Sequence, residues 1–135
     1  MGKYAELESA VFSIFGSQQW TSKGVIAQPA NFTGSVSDSD YIRIHVLASH
    51  TGINIRSVSG ILNIDIFTPL GVGPRRASQI ADMLDEMLAT KSTPSPSGSV
   101  VQCMSSTLTG MGRDVDNQNL YRALYSIPFN YYGKQ

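Results

Sequence analysis

The segment of the sequence that most resembles a phosphate-binding site is the turn at residues 71–76. Gly71 and Gly73 precede a predicted helix, whose first N–H groups have no intrahelical partners, and Arg75 adds positive charge there. A dinucleotide-binding fingerprint requires a third glycine where Arg76 stands, and no P-loop lysine follows. We therefore expect the glycines to shape the turn, and an anionic ligand bound at Gly71–Arg76 remains an alternative.

The other side chains with chemical potential form no recognised catalytic or metal-binding motif. Asp65 lies in an otherwise apolar strand-forming run, where we expect a solvated carboxylate on an open strand face. His45 falls on the polar side of another strand and is interpreted as a solvated or hydrogen-bonded imidazole. Cys103 is the single cysteine and is interpreted as a small buried residue. The sequence thus predicts a non-enzymatic protein without cofactor or metal.

Length and composition predict one globular domain with a charge-poor surface, which either contacts other proteins or simply reflects a high Ser and Thr content. The chain has 135 residues and a formal net charge of zero, which disfavours tight nucleic-acid binding. Charged residues make up 15%, against about 25% in an average protein, so the surface must expose neutral polar and apolar groups. No apolar run approaches the roughly 18 residues of a membrane-spanning helix. Together with the lack of a signal-peptide core, this predicts an intracellular origin.

The fold is predicted around residues 60–88, which form a strand, a Gly/Pro turn and a helix. β-branched and aromatic residues of strand type run to Phe67, and Pro74 suits the first turn of a helix. The helix, predicted over 74–90, carries an apolar stripe made of Ala77, Ile80, Ala81, Leu84 and Leu88. One side of the strand should contact this helix, and its other side should contact the first helix or another subunit.

The remaining elements follow from periodicity and turn residues. Residues 3–15 have helical spacing, 41–49 alternate as a strand with one buried face, and 55–67 form its hairpin partner, with Gly60 indicating a bulge or bend. After a short linker, the sequence predicts a third strand over 100–107, a loop over 110–119 and a last strand over 120–130. Pro128 favours an edge or a bulge for the last strand.

Segment 17–40 is weakly patterned. It is predicted to contain a short extended piece at 25–27, with Trp20 and Phe32 as its anchors.

Three segments carry a resemblance to a known family. The first runs from Ile64-Asp-Ile-Phe-Thr-Pro-Leu-Gly-Val-Gly-Pro into Ala77-Ser-Gln-Ile-Ala-Asp-Met-Leu; the others are Tyr41-Ile-Arg-Ile-His-Val-Leu and Leu124-Tyr-Ser-Ile-Pro-Phe. Their order and types resemble those of tail terminator (tail completion) proteins of long-tailed bacteriophages. Segment 17–40 matches this family poorly.

The resemblance implies an α+β fold: a mainly antiparallel four-stranded sheet with two helices packed on it, in the order α-(β)-β-β-α-β-β, as a single domain over residues 1–135. It also implies a homo-oligomeric ring, usually a hexamer, at the head-proximal end of the tail in the virion, assembled in the host cytoplasm. The ring would cap the tail tube protein, stop its polymerisation and dock the head connector. DNA would pass through the channel without specific binding.

Candidate contact residues follow from pattern alone. Tyr125, Phe129 and Tyr131 share one face of the last strand and are candidates for the subunit interface, with packing in the protein's own core as the alternative. The polar tip of the first hairpin is a candidate contact with the tube or a neighbouring subunit. Its residues are Ser49, His50, Thr51, Asn54 and Arg56.

Two other functions remain open at this point. One is a head–tail stopper or another neck protein of the same assembly. The other is a small dimeric α+β binding module, or an enzyme, that uses the Gly71–Arg76 turn for an anionic ligand.

Overall fold

A computed structural model describes residues 3–29, 40–51, 57–95, 98–113 and 120–133. The helices are α1 (Lys3–Phe15), α2 (Gln18–Thr21) and α3 (Gly73–Leu88), the last preceded by a 3-10 turn at Leu70–Val72. The strands are β1 (Ile26–Pro29), β2 (Tyr41–Thr51), β3 (Ser57–Pro69), β4 (Ser92–Pro94), β5 (Val100–Cys103), β6 (Thr107–Arg113) and β7 (Leu120–Tyr132).

The strands form one mixed, curled sheet in the order β1-β2-β3-β7-β5-β4. β1 is parallel to β2, and the other pairs are antiparallel. β5 and β6 both pair with the same edge of β7. β5 pairs with residues 129–132 and β6 with residues 121–126. β3 and β7 therefore form the long central pair, in register over thirteen residues from Ser57↔Tyr132 to Pro69↔Leu120.

The predicted four-stranded sheet with two helices is wrong. The described chain is mostly β, with a seven-stranded mixed sheet and three helices. β1 makes the sheet mixed, β4 lies in the segment interpreted as a linker, and the predicted third strand is divided into β5 and β6. β1 and β5 overlap the extended piece predicted at 25–27 and the third strand predicted over 100–107. β4 was not predicted, because three residues are too few to show a periodicity.

The long elements agree with their predictions. α1 occupies 3–15 as expected. α3, the hairpin strands β2 and β3, and the last strand β7 are shifted or extended by a few residues relative to their predicted bounds. Every member of the predicted stripe on α3 is buried, whereas Tyr4 of α1 is 58% exposed. Trp20 is buried and donates its indole N–H to the carbonyl of Val25 at 3.0 Å, as its anchoring role requires. Phe32 lies outside the described residues.

Both long helices pack on the same face of the sheet. Leu7, Val11 and Ile14 of α1 join Ile80 and Leu84 of α3 in one core. The sheet contributes the residues of its strands that point toward the helices: Ile42, Ile44, Val58, Leu62, Ile64, Ile66, Ala123, Tyr125, Ile127, Phe129 and Tyr131. The first helix therefore does not cover the opposite face of β3, and among the described residues no helix does.

Two irregularities have clear steric causes. The pairing of β2 with β3 shifts between Ala48 and His50, opposite Gly60. The irregularity is therefore at the predicted place, but its extra residue lies in β2 and not in the strand that contains Gly60. A Cβ at Gly60 would lie 2.0 Å from the carbonyl oxygen of Leu47, so only glycine fits there. Pro128 faces the break between β5 and β6: its carbonyl accepts from the Met104 N–H at 3.0 Å, and its missing N–H would point to the same side. β7 therefore contains a proline although it is not an edge strand, contrary to one of the two expectations for Pro128.

Candidate functional site: the open face of the sheet

The face of the sheet opposite the helices carries four rows of side chains, one residue from each of β2, β3 and β7. Register pairs define the rows as Tyr41–Phe67–Arg122, Arg43–Asp65–Leu124, His45–Asn63–Ser126 and Leu47–Ile61–Pro128. We call these twelve residues the open face. It has an aromatic row at one end, two polar rows in the middle and an apolar row at the other end.

Asp65 is the centre of the open face and is only 5% exposed. Its Oδ1 accepts from Nε and Nη2 of Arg122 at 3.0 and 2.8 Å, and its Oδ2 lies 3.1 Å from Nε2 of His45. His45 and Arg122 lie on the two strands next to β3, each in a position diagonal to Asp65, where long side chains reach one another. The expectation of a solvated carboxylate is therefore wrong, because two cationic or donor groups enclose it. The expectation of a hydrogen-bonded His45 is confirmed.

Arg43 lies directly across from Asp65 and is held by aromatic rings instead of a carboxylate. Its guanidinium carbon is 5.9 Å from the ring centre of Tyr41 and 5.5 Å from that of Phe67, distances at which a cation is attracted to a ring face. The two rings are stacked, with centres 4.5 Å apart. Among the described residues, Nε of Arg43 is buried and has no hydrogen-bond acceptor, and Oε1 of its register partner Gln28 on β1 is buried and has no donor. This end of the open face therefore keeps unused hydrogen-bonding capacity.

The middle of the open face is a shallow depression of about 210 Å³. It is lined by His45, Leu47, Asn63, Asp65, Arg122 and Leu124. In the same row as His45, the Ser126 hydroxyl donates to Oδ1 of Asn63 at 2.7 Å. The depression thus combines apolar, charged and hydrogen-bonding side chains.

The aromatic residues predicted for a subunit interface lie in the core on the opposite face. Tyr125, Phe129 and Tyr131 are at most 1% exposed, in agreement with the alternative that they fill the protein's own core. The Tyr125 hydroxyl donates to Oδ1 of Asp85 on α3 at 2.7 Å, and burial together with this bond raises the pKa of Tyr125. A subunit contact has to use other side chains.

The other predicted contact residues are only partly described. Ser49, His50 and Thr51 belong to the end of β2, where the backbone continues the ladder to Thr51↔Val58. Asn54 and Arg56 lie outside the described residues. The structure thus gives no side-chain geometry for the predicted hairpin tip.

The glycine turn before α3 uses one of its two arginines internally. Nε of Arg76 donates to Oδ2 of Asp40 at 2.6 Å, and Nη1 donates to Gln79 at 3.3 Å. Arg75 is exposed. Judged by the described residues, an anion at this turn would therefore meet one guanidinium without an ion-pair partner, that of Arg75, and not two.

The described residues include one buried thiol but no cluster of metal ligands and no membrane-spanning helix. Cys103 is buried, and desolvation raises the pKa of its thiol from 9.0 to about 11, as expected for a structural cysteine. Within the described ranges no three His, Cys, Asp or Glu side chains converge as metal ligands would. None of the described helices combines the length and the hydropathy needed to cross a bilayer.

Comparisons with known proteins support the fold and give no function. No family model matches the chain, and no curated protein matches its sequence. Three solved chains do match in structure. One of them, whose name states no function, superposes with a TM-score of 0.62 over 98% of this chain and 94% of its own, at 16% identity. At that identity the likeness shows a shared architecture alone.

Proposed function

We propose that the protein is a structural subunit that works by associating with copies of itself and with neighbouring proteins, as a tail terminator ring does. In this role it caps the head-proximal end of a phage tail tube, stops tube polymerisation and offers a docking surface to the head connector. Six copies are the expected number, from the resemblance of the sequence to that family.

The observation that carries the proposal is the exposed apolar row of the open face. Leu47 and Ile61 lie side by side and are 48% and 40% exposed, with Pro128 exposed beside them. Apolar side chains in a contiguous row on a sheet face that no described helix covers are typical of a surface that another protein covers. The low charge content and the zero net charge support the same role, since a DNA conduit should not bind its cargo.

Disrupting the gene in its phage tests this function and separates it from the neck-protein alternative. Without a terminator, tube polymerisation continues, so electron microscopy should show overlong tail tubes. A stopper mutant should instead make tails of normal length that fail to join heads. Tails of normal length that join heads would contradict both functions.

The anion-binding module is tested by titrating the protein with inorganic phosphate. The pairing of Arg76 with Asp40 disfavours this alternative because it commits that guanidinium. We expect no saturable binding at millimolar phosphate. Saturable binding that Arg75→Ala abolishes would favour the module.

A further inference from the structure

We infer that the open face receives the outward surface of α3 from a second copy of this chain, so that subunits stack front to back. This inference rests on the proposed function and deepens it by naming the two surfaces that join neighbouring subunits. It follows from the charges of the two layers of the molecule, because the open face carries arginines and the outward surface of α3 carries carboxylates.

The open face holds two arginines, Arg43 and Arg122, for one carboxylate, Asp65. Asp65 is already paired with Arg122 and lies within hydrogen-bond distance of His45. Arg43 contacts aromatic rings, and its buried Nε lacks an acceptor in the described structure. A partner that brings carboxylates onto the open face would pair with Arg43, for which the described residues supply no counter-charge.

The helix layer has the opposite sign. α1 and α3 together carry five acidic and three basic side chains. Asp82 and Glu86 are both exposed on α3, and their spacing of four residues places them on the same side of the helix, away from the buried stripe. Arg76 is paired with Asp40. Exposed Arg75 lies about two turns before Asp82 on the same side of α3, so the two carboxylates form the negative, C-terminal part of this surface. The exposed carboxylates of α3 are thus available to a second copy.

These two surfaces lie on opposite layers of one molecule, so pairing them uses different patches on the two partners. Such a heterologous contact repeats from copy to copy and closes into a ring when the rotation per subunit allows it. A two-fold dimer would instead place one patch against itself. Two open faces in contact would bring the arginines of one copy toward those of the other, which like-charge repulsion disfavours.

Placing opposite charges at one exposed position of the open face tests the inference. Leu47→Glu should meet the carboxylates of α3 and raise the subunit dissociation constant at least about 30-fold. Leu47→Lys removes the same apolar contact but adds the complementary charge, so its dissociation constant should stay at least about tenfold below that of Leu47→Glu. Sedimentation velocity over a concentration series measures both. Ile61→Glu and Ile61→Lys repeat the comparison on the neighbouring strand.

A charge reversal on α3 identifies the occupant. In the Leu47→Glu background, Asp82→Lys or Glu86→Lys should restore assembly to within about tenfold of the Leu47→Lys variant, as an interaction between contacting residues requires. The matched control is Leu108→Glu on β6, because Leu108 is 42% exposed but lies outside the open face. This control should assemble like the wild type.

The outcomes either support or overturn the inference. Charge-dependent weakening at Leu47 with rescue from α3 supports it. Equal weakening by Glu and Lys, failure of both rescues, an equal effect of Leu108→Glu, or a wild-type chain that stays monomeric overturns it. The tail-length phenotype of the disrupted gene does not depend on which surface is used, so the proposed function survives if only this inference fails.

Discussion

At the scale of single residues, the open face is organised by one buried carboxylate. Asp65 joins β2, β3 and β7 because its two oxygens contact His45 on one neighbour and Arg122 on the other. Burying a carboxylate is unfavourable unless it is paired and hydrogen-bonded, and here both conditions are met. The network therefore fixes the shape of the surface that the proposed function uses.

We expect Asp65→Asn to destabilise the fold by about 2–4 kcal/mol, because the change leaves the Arg122 guanidinium beside a neutral amide. Urea unfolding followed by tryptophan fluorescence measures the loss. Glu8→Gln, at an exposed position on α1, is the control and should change the free energy of unfolding by less than about 0.5 kcal/mol. Equal stabilities for the two variants would contradict a structural role for the network.

The thiol of Cys103 should react slowly with a disulfide reagent at pH 8, since it is buried and its pKa is about 11. Full reactivity should return in denaturant. The raised pKa also stabilises the fold below pH 9.0, and this contribution should be lost as the pH rises from 9.0 to about 11. Rapid labelling of the folded protein at pH 8 would contradict the burial of this side chain.

At the scale of elements, the long helices and strands could be predicted from the sequence, whereas of the shorter strands only β1 and β5 were anticipated, and those in part. The stripe of α3 and the alternation of β2 are local patterns that persist over many residues. β6 was interpreted in part as a loop because Gly110 and Gly112 lie in it, yet it pairs with β7 through Arg113↔Tyr121. Such pairing depends on a partner distant in the sequence, which overrides local propensity.

The same distinction holds for the candidate site. The sequence placed His45 on a polar strand face, but the burial of Asp65 arises from partners 20 and 57 residues away, which no local pattern records. The sequence correctly placed Tyr125, Phe129 and Tyr131 on one face of β7. Whether that face is the core or the surface depends on where both helices pack, which the strand itself does not record. A useful signal was available in Leu47 and Ile61, apolar residues that share their strand faces with Arg43, His45, Asn63 and Asp65.

The bulge opposite Gly60 gives a prediction about an element. Gly60→Ala should destabilise the protein by at least about 3 kcal/mol, since its Cβ would lie 2.0 Å from the Leu47 carbonyl oxygen and the strands would have to separate. Gly71→Ala is the matched control, because a Cβ there meets nothing within 4 Å. Thermal unfolding of both variants compares them. A Gly60→Ala protein as stable as the control would show that the strands are farther apart than described.

At the scale of the whole molecule, the two faces of the sheet differ. The core packs α1 and α3 against one face. The open face is covered by no described helix: it exposes an apolar row at one end, buries Tyr41 and Phe67 at the other, and holds two arginines for one carboxylate. A molecule built in this way is suited to stacking against other copies, and association is the central claim of our account.

Native mass spectrometry of the purified wild-type chain over rising concentration tests that claim most directly. We predict a closed assembly of one defined size, a hexamer if the resemblance to tail terminators holds, that dissociates in the Leu47→Glu variant. A wild-type protein that remains a monomer at every concentration, both alone and with polymerised tail tubes, would contradict the account.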